Sequence, residues 1–215
     1  MLIFFSIKFH IKITFDIYMK YLYLIRHAKA SDDYNRINDF DRPLKSKGIL
    51  QAHQMSEKLI KKNIKPDAIL SSTASRALQT AHIFALKNEL KLNELILDKN
   101  IYESTIGDII NSISQVNNQI AHLFLFGHNP SITHVANYLL DSIMSEIPLC
   151  GVVAIEIQSD TWTNLLMNKN HLIFFDIPDK IEDSTSVIKP ENNTIEIPTT
   201  IEIKTENINP DASKI

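Results

Sequence analysis

Two histidines and two arginines of this chain stand where an expected strand ends. Arg26 and His27 come directly after the apolar run 21–25, and His128 follows a second apolar run. Arg76 falls in the expected first turn of a helix that follows a third, shorter run. A neutral imidazole can attack phosphorus, and the planar fork of arginine binds phosphoryl oxygens. Gathered at one sheet edge, these side chains would suit phosphoryl transfer without a metal ion.

Arginine is scarce in this chain, which draws most of its positive charge from lysine and has only four arginines. A sequence of this kind is expected to keep arginine where its two-pronged donor geometry cannot be replaced. Arg42, which is followed by Pro43, lies in a loop that could reach the same pocket. An ordinary surface pair between Arg42 and a neighbouring aspartate explains this segment equally well.

Each motif also has a plainer interpretation. His27 could simply end a strand, Arg76 could lie on the wet face of its helix, and His128 could occupy a turn. Taken singly, these interpretations are adequate. Their joint occurrence at successive strand-to-helix turns favours a functional site, because ligands of α/β sheets bind beyond the carboxyl ends of the strands.

Elements that could position these side chains alternate along the chain. Apolar runs predict strands over 21–25, 67–70, 95–97, 123–126, 152–157 and 172–177. Helical spacing predicts helices over 46–62, 75–86 and 108–116, and a fourth that begins at Pro130. Ser46 and Asn129 are the expected N-caps of the first and last of these. Alternating strands and helices predict an α/β layer architecture.

The expected domain covers residues 19–178. Residues 1–18 are apolar but interrupted by charges, so they suit neither a membrane span nor a signal peptide. They could form an edge strand, but we favour a mis-assigned start, since the motif-bearing strand begins directly after Met19. Residues 179–215 are rich in polar residues, and we expect a disordered tail.

Composition excludes several classes of function. The net charge of -3 and the absence of a basic cluster argue against a nucleic-acid partner. The single cysteine, Cys150, allows no internal disulfide and favours a reducing cytoplasm. We therefore expect a cytoplasmic monomer with no membrane or nucleic-acid partner, no metal and no cofactor.

Four segments, in this order, resemble the histidine phosphatase superfamily and, within it, the SixA-type phosphohistidine phosphatase branch. They are Arg26-His27-Ala28-Lys29-Ala30, Arg42-Pro43-Leu44 with Gly48, Ser71-Ser72 through Arg76 with Gln79-Thr80, and Gly127-His128-Asn129-Pro130. The resemblance covers about residues 19–178, and its specificity comes from the order and spacing of the segments. Ala28 departs from the signature, which has glycine there.

The resemblance implies a phosphoglycerate mutase-like fold, a three-layer α/β/α sandwich around a mostly parallel sheet. It implies that His27 is the nucleophile. It implies that Arg26, Arg76 and His128 hold the phosphoryl group, and Arg42 and Asn129 are expected to assist in binding the substrate.

The substrate is left open, and Glu103 is the residue on which it depends. Glu103 could be the carboxylic acid that protonates an alkoxide leaving group, or a solvated loop residue. An imidazole leaves more easily, so a phosphohistidine phosphatase could dispense with the acid. The leading hypothesis is therefore a phosphatase acting on a histidine-containing phosphotransfer protein. The alternatives are a phosphatase or mutase of a small phosphorylated metabolite and a non-catalytic phosphate-binding module.

Overall fold

A computed structural model describes residues 19–33, 36–165 and 170–180. The predictions for residues 1–18, and for the tail beyond residue 180, lie outside the described residues. Within the described part, the strands are β1 (Lys20–Arg26), β2 (Ala68–Ser72), β3 (Leu95–Asp98), β4 (His122–Gly127), β5 (Val152–Ile157) and β6 (Asn170–Asp176). The α-helices are α1 (Ser46–Lys61), α2 (Ser75–Lys87), α3 (Ile106–Ser114) and α4 (Ser131–Leu140).

These strands form one sheet in the order β3-β2-β4-β1-β5-β6. The pairings β2–β3, β2–β4 and β1–β4 are parallel, whereas β5 pairs antiparallel with both β1 and β6. The expected α/β class is confirmed. The parallel pairings follow from the helical crossovers between successive strands, and β5 and β6 are joined without an α-helix among the described residues.

Strand β1 shows how the sheet is buried on both faces. Leu22 and Leu24 pack in a core with side chains of α3 and α4, while Tyr23 and Ile25 pack in a second core with α1 and α2. Side chains alternate across a strand, so the continuous apolar run supplies both cores. Two helices therefore lie on each side of the strands that carry the candidate site.

The predicted start of α2 at Ser75 is confirmed, whereas the predicted N-caps of α1 and α4 are each wrong by one residue and the predicted start of α3 is two residues late. Lys45, rather than Ser46, is the N-cap of α1, and Pro130, rather than Asn129, is the N-cap of α4. The α3 helix begins at Ile106 because Thr105 caps it in a reciprocal pair with the side chain of Asp108.

None of the described helices has the length and apolar character needed to cross a bilayer.

Candidate active site

The carboxyl ends of three neighbouring strands bring the candidate side chains together. His27 directly follows β1, His128 directly follows β4, and Arg76 lies in the first turn of α2 after β2. Strand β4 lies between β1 and β2, so these turns meet at one edge of the sheet. The ring centroids of His27 and His128 are 5.1 Å apart.

The hydrogen bonds of His27 fix the position of its ring proton. Nδ1 lies 2.8 Å from the carbonyl oxygen of Ala28, which can only accept, so Nδ1 carries the hydrogen. Nε2 then keeps its lone pair and accepts from Nε of Arg76 at 3.2 Å. Burial, followed by the positive charges of Arg76, Arg26 and Arg42, lowers the pKa of His27 to about 4. The ring is therefore neutral at pH 7, with Nε2 available as a nucleophile.

The loop that carries His27 is held by backbone and side-chain bonds. The His27 amide donates to the Gly127 carbonyl at 3.1 Å, and the Ala28 amide donates to Oγ1 of Thr80 at 3.1 Å. The Thr80 hydroxyl in turn donates to the Arg76 carbonyl at 2.7 Å. Thr80 thus joins the His27 loop to the first turn of α2. The sequence motif contains Thr80 but gives it no role.

Arg76 is 5% exposed, so the interpretation of a wet helix face is wrong. Its Nη1 donates to the Asp39 carbonyl at 2.5 Å, and its Nη2 donates to the Asp39 carboxylate at 2.9 Å. The guanidinium also lies 5.8 Å from the ring centroid of Tyr102. Both terminal nitrogens are thus bound to one residue while Nε points to His27.

Asp39 is a member of the site that the sequence did not single out. Its carboxylate accepts from Nε and Nη2 of Arg42 at 2.9 and 2.6 Å, and from the Tyr102 hydroxyl at 2.9 Å. Partial burial by itself raises the pKa of Asp39, but the bonds from Tyr102 and Arg42 and the charge of Arg76 outweigh it and lower the pKa to about 2. Asp39 is therefore a carboxylate at any physiological pH.

Two further arginines, Arg26 and Arg42, also line the candidate pocket. Arg42 is buried and donates to the Ser31 carbonyl at 2.6 Å as well as to Asp39, so it is not the exposed partner in a surface pair. Arg26 donates to the Ile147 carbonyl at 2.9 Å, and burial lowers its pKa. Nε of Arg26 is buried and bonds to none of the described residues.

His128 is 8% exposed and bonds through Nε2 to Oγ of Ser72 at 2.9 Å. The Ser72 oxygen accepts the Ala74 amide, so its own hydrogen is free to be donated to Nε2. Nδ1 of His128 is buried and bonds to none of the described residues. Burial, followed by the charges of His27 and Arg76, lowers the pKa of His128 to about 3, so this ring is also neutral.

Two adjoining pockets open at this edge, and both are lined by Arg76, His128 and Asn129. The first, of about 300 Å³, contains Arg26, His27 and Arg42. The second, of about 320 Å³, contains Asp39, Tyr102 and Glu103. The first pocket could hold a phosphoryl group and the second the group to which it is attached.

Asn129 and Glu103 differ in how firmly they are held. The Asn129 amide donates to the Ile147 carbonyl at 3.0 Å, and its side-chain oxygen accepts from Thr133 at 2.8 Å. Glu103 is exposed, and its φ of 50° is in the left-handed region, where a side chain causes strain.

Across the described ranges, no three histidine, cysteine or acidic side chains are grouped to hold a metal ion.

A family profile and two curated relatives match most or part of the domain that contains these side chains. The profile of the histidine phosphatase superfamily (branch 1) matches residues 22–124. An uncharacterised protein of Mycobacterium tuberculosis is 26% identical over 164 residues, which cover 72% of this chain and 99% of that protein. An uncharacterised protein of Mycobacterium leprae is 24% identical over 169 residues, with the same coverage of 72% and 99%.

Solved structures show a similar fold. A SixA-type protein from Agrobacterium tumefaciens gives a TM-score of 0.63 at 24% identity, covering 74% of this chain and 99% of that one. The protein histidine phosphatase SixA in complex with tungstate also gives 0.63, at 16% identity, covering 74% and 97%. A mycobacterial glucosyl-3-phosphoglycerate phosphatase in complex with VO3 gives 0.57 at 16% identity, covering 74% and 99%.

Proposed function

We propose that the chain is a phosphatase of the histidine phosphatase superfamily, whose profile matches residues 22–124, that Nε2 of His27 is its nucleophile, and that its substrate is a phosphohistidine carried by another protein. The observation that supports the nucleophile most strongly is the bond from Nδ1 of His27 to the Ala28 carbonyl. It keeps the lone pair on Nε2, at the wall of a pocket that also contains Arg26, Arg42 and Arg76.

In the first step, Nε2 of His27 attacks phosphorus, the new N–P bond forms, and the bond from phosphorus to the leaving group breaks. Arg76 transfers its Nε hydrogen bond from His27 to a phosphoryl oxygen as that lone pair is used. Arg26 and His128 donate to the other oxygens, and Arg42 and Asn129 assist in holding the substrate. These donors stabilise the charge that develops on the transferring group.

In the second step, water attacks the phosphohistidine formed on His27. The P–Nε2 bond breaks, phosphate is released, and the electron pair returns to Nε2. Because burial and three arginines keep the pKa of His27 at about 4, Nε2 does not take up a proton at neutral pH once the P–Nε2 bond has broken. The neutral nucleophile is thereby regenerated.

The choice of phosphohistidine rests on the lack of a protonated group to act as general acid around the second pocket. Asp39, with a pKa of about 2, holds no proton to donate at neutral pH. His128, with a pKa of about 3, is neutral and therefore cannot donate a proton as an imidazolium. Glu103 is the remaining acidic side chain that lines this pocket, and it is exposed. An alkoxide needs a proton to leave, whereas an imidazole needs little assistance.

A small phosphorylated metabolite is the second candidate substrate. The observation that favours it is the position of Glu103 in a pocket of about 320 Å³ that adjoins the arginine pocket. A monoester bound with its phosphoryl group against His27 would place its leaving oxygen toward that pocket. Glu103 would then have to act as the general acid.

The test compares a phosphotransfer protein carrying labelled phosphohistidine with p-nitrophenyl phosphate as a simple monoester. The parent protein, His27→Ala and Glu103→Gln are assayed on both, with His134→Ala as the control because His134 is exposed and lines neither pocket. We expect His27→Ala to lose about a thousandfold in rate, because the covalent route is closed. On phosphohistidine, Glu103→Gln is expected to stay within about threefold of the parent, since little acid assistance is needed.

Failure of the parent to transfer phosphoryl from either donor would refute the enzymatic proposal and leave a binding module. A loss of about a hundredfold in monoesterase activity for Glu103→Gln, with phosphohistidine hydrolysed slowly by the parent, would favour the metabolite instead.

A further inference from the structure

A carboxylate lies at the centre of the densest polar cluster in the site. The two oxygens of the Asp39 side chain accept four hydrogen bonds, two from Arg42, one from Arg76 and one from Tyr102. The Asp39 carbonyl accepts a further bond from Arg76. Asp39 lies in the short 3-10 turn Asp39–Asp41, so one residue of a loop joins two arginines of the pocket to each other.

The bonds to Asp39 fix the orientation of Arg76. Both terminal nitrogens of the guanidinium are bound to Asp39, so the edge that carries Nε is turned toward Nε2 of His27 at 3.2 Å. The Tyr102 ring lies against the same guanidinium, and the Tyr102 hydroxyl is itself fixed by Asp39. The guanidinium therefore cannot rotate without breaking bonds to Asp39.

We propose that Asp39 is a positioning residue for phosphoryl transfer, which holds the Nε edge of Arg76 against the nucleophile. This inference rests on the proposed role of His27. Asp39 does not touch the transferring group, and it acts through Arg76. Preorganised donors contribute to catalysis because they need no rearrangement when the charge develops.

The direction in which oxyanion affinity changes when the Asp39 charge is removed distinguishes a positioning role of Asp39 from a purely electrostatic one. A carboxylate close to a bound oxyanion repels it, so removing the Asp39 charge alone would strengthen oxyanion binding. Loss of the orientation of Arg76 would weaken oxyanion binding, because a charge-assisted hydrogen bond is lost or misaligned. Our proposal predicts weakening.

The experiment measures tungstate binding by calorimetry for the parent, Asp39→Asn and the control Asp41→Asn. Asp41 lies in the same turn, is exposed, and loses the same charge in the control. We expect Asp39→Asn to bind tungstate about tenfold more weakly, since one charge-assisted bond is involved. Asp41→Asn should stay within about twofold of the parent. Tyr102→Phe keeps the Asp39 charge and removes one of its bonds, so it should weaken binding by a smaller factor.

A double-mutant cycle with Arg76→Ala tests whether Asp39 acts through Arg76. We expect Asp39→Asn to cause no further loss of tungstate affinity once Arg76 is removed. Equal or tighter binding by Asp39→Asn, or additive losses in the cycle, would overturn the inference.

Labelling of His27 by a phosphohistidine donor, measured on the same proteins, keeps the two proposals apart. Labelling of the parent together with unchanged tungstate binding by Asp39→Asn refutes only the positioning role. No labelling of the parent refutes the nucleophile, and the positioning role fails with it.

Discussion

At the scale of single residues, the reactivity of His27 depends on a few short-range bonds. The Ala28 carbonyl determines which ring nitrogen carries the hydrogen, and Arg76 faces the other nitrogen. Thr80 ties these two parts together, since its hydroxyl oxygen accepts from the Ala28 amide and its hydrogen is donated to the Arg76 carbonyl. A change at Thr80 should therefore disturb both stability and catalysis.

Thr80→Val keeps the shape of this buried side chain and removes its hydroxyl. The Ala28 amide, which is buried, loses its partner, and an unsatisfied buried donor costs about 1–3 kcal/mol. We expect the free energy of unfolding in urea to fall by this amount and the rate of His27 labelling to fall with it.

Thr73→Val is the matched control for Thr80→Val. Oγ1 of Thr73 is buried and bonds to none of the described residues, so its removal should leave stability unchanged or slightly higher. Equal destabilisation by the two substitutions would contradict the role given to Thr80.

At the scale of elements, α1 is packed directly against the loop that follows His27. A Cβ on Gly48 would lie 2.1 Å from the Lys29 carbonyl oxygen, which is far inside van der Waals contact. Gly127, at the end of β4, is similarly constrained, because a Cβ there would lie 2.7 Å from the Ile132 side chain. The glycines of these two motifs therefore permit close packing around the site.

Gly48→Ala should force α1 away from the His27 loop. We expect a loss of about 2 kcal/mol or more in the free energy of unfolding, as in overpacked cores, and slower His27 labelling. Gly107→Ala is the comparison, because it is an exposed position in the first turn of α3 with no contact closer than 3.7 Å for the new Cβ. There alanine should stabilise the protein by about 0.5–1 kcal/mol. Similar losses in both variants would contradict the packing argument.

Elements with strong periodicity could be predicted from the sequence, and their ends could not. The apolar runs of β1 and β4 identify strands buried on both faces, as found. Serine is preferred at an N-cap, yet Lys45 occupies that position in α1 without a side-chain cap bond, so the local preference does not decide where this helix starts. The antiparallel position of β5 depends on tertiary pairing that no local pattern records.

At the scale of the whole molecule, the candidate site was predictable in part. His27 and His128 directly follow a strand and Arg76 lies in the first turn of the helix after one, so the three meet because parallel strands end at one edge. Asp39 could not be identified in this way, because Asp39 and Asp41 are equivalent in sequence and only the fold turns one of them toward Arg76. Sequence spacing thus predicts which strand ends meet, and the tertiary structure selects the loop residues that join them.

The folded protein as a whole should lose stability in mild acid because of its buried histidines. In the unfolded chain a histidine takes up a proton near pH 6.5, whereas folding lowers the pKa of His27 to about 4. Between these values the unfolded state binds more protons, so stability falls as the pH falls through this window. Replacing His27 should remove part of that loss.

Urea unfolding of the parent and His27→Asn at pH 7 and pH 4.5 measures this effect. We expect the parent to lose roughly 1–2 kcal/mol more than His27→Asn over that interval. Identical losses in the two proteins would show that His27 is not a buried neutral histidine.

The most direct test of the account is the atom of His27 that receives the phosphoryl group. Rapid quenching after mixing with a phosphohistidine donor, followed by NMR of the isotope-labelled histidine, distinguishes phosphorylation at Nε2 from phosphorylation at Nδ1. Because Nδ1 is held by the Ala28 carbonyl, we expect phosphoryl on Nε2 of His27 and none on His128. Phosphoryl on Nδ1, on His128 or on no histidine at all would contradict the account.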